Sequence, residues 1–268
     1  MNQQEVKDAV EKLSVTDRKL FLDEIRTIQP IHSLEKEWNI TAEFVLEAIA
    51  RSQDITKRGV RGIIAELAFS EYILKKMNPP WVETQNLGAD LAYDSELING
   101  TKKIHIQTKN QRLVKGIPLG PTKTAIKFNP ELEGWFIAET QKTRTGKKKK
   151  SKDENDPNAE IEEVLTRPYR FGEFHILSVC MQPSHPQKSW KSFMFCPALA
   201  LIPSAKDPAI IATFQPVPPS PMYCWTDDLQ QCIDWVLDPK TMPAKFVPKP
   251  KMKVDLKKKV EPSGSLFE

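Results

Sequence analysis

The dipeptide Asn99-Gly100 restricts the fold of this chain more than any other feature, because Asn-Gly between two runs rich in β-branched residues is the strongest short-range signal for a tight antiparallel hairpin. The flanking runs are Leu91 to Ile98 and Thr101 to Lys109. With Asn99 and Gly100 as the loop of a type I′ turn, Ile98 pairs with Thr101. That register sets Asp90 opposite Lys109, Ala92 opposite Gln107 and Asp94 opposite His105. Residues directly opposite project to one side of a sheet, as do alternate residues along a strand. Asp90, Gln107 and Lys109 are therefore expected on one face, with Leu91, Tyr93, Ile104 and Ile106 turned toward a core on the other.

A carboxylate, an amide and an ammonium brought together in this way suit a hard divalent cation, which takes oxygen ligands and keeps several waters. Asp90, Gln107 and the main-chain carbonyl of Thr108 are the candidate ligands for Mg²⁺, with Mn²⁺ as a substitute. Lys109 beside them would orient or help deprotonate an attacking water, or stabilise negative charge gathering on phosphorus. The hairpin lacks a second carboxylate. Glu66 is the candidate, set among small and apolar neighbours in Gly62-Ile63-Ile64-Ala65-Glu66-Leu67-Ala68, a costly place for a charge without a partner. His105 falls on the Gln107 face and is expected to make an ordinary contact with Asp94.

Helical Glu66, then Gly88-Ala89-Asp90, then Ile104-His105-Ile106-Gln107-Thr108-Lys109 resemble the active-site layout of the PD-(D/E)xK nuclease superfamily, which includes many type II restriction endonucleases, Mrr-like enzymes and Holliday-junction resolvases. The chain departs from the common pattern in having no proline before Asp90 and in carrying Gln107 where most members have Asp or Glu; members with Gln-x-Lys are familiar. Arg167 to Leu177 and Lys191 to Cys196 resemble the pair of core strands that follows the hairpin in that superfamily, so the likeness covers Val60 to Ile202. It implies a restriction-endonuclease-like α/β fold, a mixed central sheet flanked by helices. It also implies Mg²⁺-dependent hydrolysis of phosphodiester bonds in double-stranded DNA, with Asp90, Gln107, Glu66 and Lys109 in the catalytic centre. A type II restriction enzyme is the leading expectation. The alternatives are a structure-selective repair nuclease of the junction-resolvase kind and a non-catalytic DNA-binding protein of the same fold. Because a duplex is two-fold symmetric, one centre per chain implies a homodimer.

The rest of the chain frames this core. Apolar residues recur at helical spacing through Val6, Val10 and Leu13, then Leu20, Phe21 and Ile25, then Phe44, Val45, Ala48 and Ile49, predicting an N-terminal helical region over residues 1–55. Ser14 or Thr16 and then Thr41 are the candidate caps. A longer helix is expected from Thr56 to Lys76. The α/β core is expected over 56–240, with strands at Gly134 to Glu139, Glu173 to Met181 and Ser192 to Ile202, two of them apolar enough to be buried on both faces. A short helix is expected from Asp227 to Leu237, and a poorly ordered Pro/Lys tail over 241–268. Lys147, Lys148, Lys149 and Lys150 belong to a basic loop near 140–160, expected to be mobile and to touch phosphates if it contributes.

Several classes are set aside. Apolar runs fall far short of the roughly 20 residues a membrane-spanning helix needs, and the N-terminus lacks a signal pattern, so a cytoplasmic protein without a membrane partner is expected. There is no G-x-S-x-G, and a chain with only 10 glycines shows no phosphate-cradling loop. His175, His185, Cys180 and Cys196 match no zinc-finger spacing, and the four cysteines read as reduced core thiols.

Overall fold

The computed structural model describes residues 2–28, 32–77, 80–84, 91–141, 147–149, 161–163 and 168–249. Helices come first: α1 (Gln3–Glu11), α2 (Val15–Ile28), α3 (Ser33–Trp38), α4 (Ala42–Arg51) and α5 (Asp54–Tyr72). Their starts follow the capping residues. Ser14 Oγ accepts from the Asp17 N–H and Thr41 Oγ1 from the Phe44 N–H, each satisfying a donor that the first turn leaves without a helical partner. Backbone contacts divide the chain within α5, into Met1–Val60 and Arg61–Glu268. In the first unit α1, α3 and α4 contain no buried residue.

The second unit is built on a five-stranded mixed sheet, ordered β1 (Val82–Glu83), β2 (Ser95–Asn99), β3 (Lys102–Asn110), β9 (Ile176–Cys180), β10 (Phe193–Pro197). Strand β3 runs antiparallel to β2 and parallel to β9, and β10 runs antiparallel to β9. Between β3 and β9 come the small hairpin β4 (Leu113–Val114) and β5 (Ile117–Pro118), helix α6 (Lys123–Phe128), strand β6 (Phe136–Glu139), and the pair β7 (Lys147–Lys149) and β8 (Ile161–Glu163). Strand β11 (Phe214–Val217) pairs with β6, and α7 (Leu229–Leu237) follows. This is the mixed α/β fold expected, with helices and a mixed central sheet.

Alternation along the strands gives the sheet two apolar sides. Leu97, Ile104, Ile106, Ile176, Cys180, Phe193 and Phe195 pack with Ala65, Ala68 and Phe69 of α5 and with Leu229, Cys232 and Ile233 of α7. The 65, 68, 69 spacing is one stripe of a helix. Leu177, Val179, Met194 and Cys196 face the other way, onto Trp135, Ala138, Val217, Trp225 and Phe246. Strands β9 and β10 are buried at every position, as their mainly apolar sequences predict, with Ser178 the polar residue of β9. All four cysteines are buried free thiols.

Three expectations are corrected. The hairpin turn is Gly100-Thr101, because Asn99 pairs with Lys102 and Ile98 with Lys103. Gly100 has φ +58° and Thr101 lies outside the positive-φ residues, the pattern of a type II′ turn with glycine leading. The register is thereby displaced two residues from the one a type I′ Asn-Gly turn dictates. An even displacement leaves every side chain on its face, which is why Leu97, Ile104 and Ile106 still reach the core. Second, Tyr93 precedes β2 and does not follow its alternation; its ring stacks on His105, centroids 4.0 Å apart. Third, the start of the C-terminal tail is tied down: Phe246 is buried against Trp135 and Tyr223, and the Lys249 N–H donates to Asn129 Oδ1 at 2.7 Å.

Candidate active site

Strand β3 carries the site. With Ser95 opposite Ile106, the residue facing Gln107 is Asp94, one step before β2. The Asp94 N–H donates to the Ile106 carbonyl at 2.9 Å, so the main chain holds Asp94 in register although the strand begins after it. Its Oδ2 accepts from the Thr108 N–H at 2.8 Å and from the Gln107 side-chain amide. Gln107 is almost completely buried. Its Nε2 also donates to the Thr108 carbonyl at 3.2 Å, while its Oε1 accepts from the Tyr169 hydroxyl at 3.0 Å. Lys109, next on this face, sets its Nζ 5.5 Å from the centre of the Tyr169 ring.

The charges here feel one another. Burial raises the pKa of Glu66, on the Arg61–Tyr72 part of α5, to about 7; the Asp94 charge adds to this and the Lys109 ammonium opposes it. Burial also raises Asp94, against the pull of Lys109 and the Thr108 N–H. Lys109 is pushed below the ordinary lysine value by desolvation, with Asp94, Glu66 and Glu139 working the other way. Burial, then the charges of Asp94, Glu173 and Glu66, keep the Tyr169 phenol protonated. Glu66, Asp94, Lys109 and Tyr169 thus form one electrostatic group. Glu139, at the end of β6, is itself paired with Arg112 at 2.7 Å.

Of the residues singled out in the sequence, Gln107, Thr108 and Lys109 lie together on β3, and Glu66 is in electrostatic reach of Lys109 and Asp94. Asp90 lies outside the described residues, as does Lys150; Lys147, Lys148 and Lys149 form β7, paired with β8. The expected contact of His105 with Asp94 is replaced, because the displaced register puts Glu96 opposite His105, with Nε2 and Oε2 2.9 Å apart. The Asn-Gly register sets Asp94 against His105 rather than Gln107, and no local pattern marks Tyr169 or Glu139. The signal for Asp94 was present, since Gly-Thr is as valid a II′ loop as Asn-Gly is a I′ loop.

The donors suit a hard cation. Among the described residues no group of three His, Cys, Asp or Glu side chains is disposed to hold a metal. The Asp94 and Glu66 carboxylates and the Thr108 carbonyl could supply oxygen ligands to Mg²⁺, which keeps waters for the rest, while Gln107 turns its NH₂ group toward Asp94 and its oxygen toward Tyr169. Both carboxylates are destabilised as anions by burial, and a dication would relieve what the lone Lys109 does not.

No helix among the described residues is long and apolar enough to cross a membrane. No protein-family model and no curated protein matches the chain. A search of solved structures finds a bacterial homing endonuclease, I-Ssp6803I, at 19% identity and a TM-score of 0.29, over 52% of this chain and 68% of that one. A likeness of that size carries no functional argument, so the function rests on the site.

Proposed function

We propose that the chain is a Mg²⁺-dependent endonuclease that hydrolyses phosphodiester bonds in double-stranded DNA, and that it serves as a restriction enzyme acting as a homodimer. The observation that carries this reading is Asp94 bonded to the Gln107 amide and the Thr108 N–H, with Glu66 and Lys109 in electrostatic reach: two half-buried carboxylates whose pKa values are raised and one lysine whose pKa is lowered. Asp94 takes the role that the sequence assigned to Asp90. Asp94, Gln107 and the Thr108 carbonyl would hold the cation, with Glu66 as a further ligand, directly or through water. Mn²⁺ is the expected substitute.

Bound Mg²⁺ supplies Lewis-acid stabilisation of a phosphoryl oxygen and lowers the pKa of a water. Glu66, held to the cation through water, would take a proton from the attacking water. Lys109 is partly buried and stands over an aromatic face, so its charge would act on the negative charge that develops as the new P–O bond forms and the old one breaks. The Thr108 N–H fixes Asp94, which keeps the carboxylate aimed before substrate arrives. Lys147 to Lys150 would add phosphate contacts that weaken with salt.

Purified protein incubated with circular duplex DNA and Mg²⁺ tests the proposal. Lys109→Ala is expected to lower cleavage at least about 100-fold; undiminished cleavage would remove that lysine from the chemistry. Discrete fragments with uniform ends support the restriction role. Preference for a four-way junction over the plasmid replaces it with a structure-selective one.

A further inference from the structure

We propose that Tyr169 is a positioning residue that secures the Gln107 amide in either of two orientations, so that the amide turns over when a divalent cation binds beside Asp94. The inference rests on the cation site proposed above. In the structure Gln107 presents its donor edge to Asp94 and its oxygen to the Tyr169 hydroxyl. In that pose the side chain offers a cation nothing, because the NH₂ group faces the carboxylate that the cation would join. Half a turn about the terminal torsion exchanges oxygen and nitrogen at almost no change in shape. Oε1 then faces the cation and the NH₂ group faces Tyr169.

The exchange succeeds only if the partner on the far side both donates and accepts, because Gln107 is nearly inaccessible to water and a stranded amide group there is costly. A phenol does both. A phenol is protonated at neutral pH, so its donor function is available in the cation-free state. Tyr169 is also fixed in place: it is buried, its ring meets Phe174 edge-on at 5.3 Å, and its carbonyl accepts from the Ile211 N–H at 2.8 Å. The ring and the hydroxyl do separate work, since Lys109 stands over the ring face and only the hydroxyl meets Gln107.

Tyr169→Phe separates the two, keeping the ring and removing the hydroxyl. Mg²⁺ and Mn²⁺ binding to the full chain is measured by calorimetry in the wild type, Tyr169→Phe and Asp94→Asn, with thermal melting to confirm folding. The side-chain NH₂ resonances of Gln107 are followed by NMR as Mg²⁺ is added. The expected results are Mg²⁺ affinity about tenfold weaker in Tyr169→Phe, and a large displacement of the Gln107 NH₂ resonances in the wild type as their acceptor changes from carboxylate to phenol. Wild-type affinity in Tyr169→Phe, or Gln107 resonances unmoved at saturation while Asp94→Asn abolishes binding, would overturn the role of Tyr169 and leave the cation site standing. Absence of any binding that depends on Asp94 would overturn both.

Discussion

Two carboxylates hang from one hairpin, two residues apart and on the same face, and they live in opposite surroundings. Glu96 is met by His105 at 2.9 Å, Thr84 at 3.0 Å and Lys103 at 3.4 Å, and its pKa falls because those partners, His105 first, outweigh its burial. Asp94 has one main-chain N–H, the Gln107 amide and the more distant Lys109, and its pKa rises because burial outweighs them. Strand β3 supplies a basic partner to each. What differs is that Glu96 is satisfied by the protein alone, whereas Asp94, with Glu66 raised beside it, is left wanting positive charge. A folded chain that leaves two neighbouring acids so placed is storing unfavourable energy at a site, a common signature of function.

That contrast can be broken most sharply by activity. Asp94→Asn keeps an acceptor for the Thr108 N–H and removes the charge, and DNA cleavage with Mg²⁺ is expected to fall about 100-fold or more. Glu96→Gln, two residues along, is expected to leave cleavage within about threefold, since Glu96 belongs to a structural cluster; plasmid-nicking rates compare the two. Equal losses would mean that the two carboxylates do the same kind of work.

The pH dependence of metal binding is a gentler probe. Mg²⁺ competes with the proton on Glu66, so affinity measured by calorimetry is expected to drop toward tenfold per pH unit below about 7 and to level off above it. Glu66→Gln should flatten that slope and weaken binding at pH 8. Without metal, Glu66 binds a proton more tightly folded than unfolded. Its contribution to stability is therefore full below its ordinary value of 4.5 and is lost as pH rises to about 7. Glu96 acts with the opposite sign, contributing above 4.5 and losing that contribution as pH falls through its lowered pKa. Denaturant titrations of Glu66→Gln and Glu96→Gln across this range should change the slope in opposite directions. The smallest expected effect is the stability cost of Glu96→Gln at pH 7, about 1 kcal/mol, because His105, Thr84 and Lys103 retain an amide oxygen to bond.

The same pair of acids marks where the sequence could be read and where it could not. Glu66 was legible because a charge flanked by Ala65 and Leu67 on a helix whose Ala65, Ala68 and Phe69 are core needs a reason to be there. Gln107 and Lys109 were legible from alternation, and alternation survives any even slip of register. The choice between Asp90 and Asp94 depended on the slip itself. Asn-Gly and Gly-Thr overlap by one residue, and nothing local favours one two-residue loop over the other strongly enough to fix the pairing. Strand β11 was hidden for another reason: Pro216 sits within it, tolerated because among the described residues β11 pairs along one edge, with β6. Tyr169 and Phe246 are recognised only by what they touch, 62 residues from Gln107 for the former and across the core onto Trp135 for the latter. No spacing rule reports contacts of that kind.

The most direct test of the central claim is Mg²⁺ titration followed by DNA digestion for three proteins side by side, the wild type, Asp94→Asn and Glu96→Gln. The wild type and Glu96→Gln are expected to bind Mg²⁺ and cut duplex DNA at similar rates, and Asp94→Asn to lose Mg²⁺ binding and cut about 100-fold more slowly or worse. Cleavage by Asp94→Asn at the wild-type rate would contradict the claim.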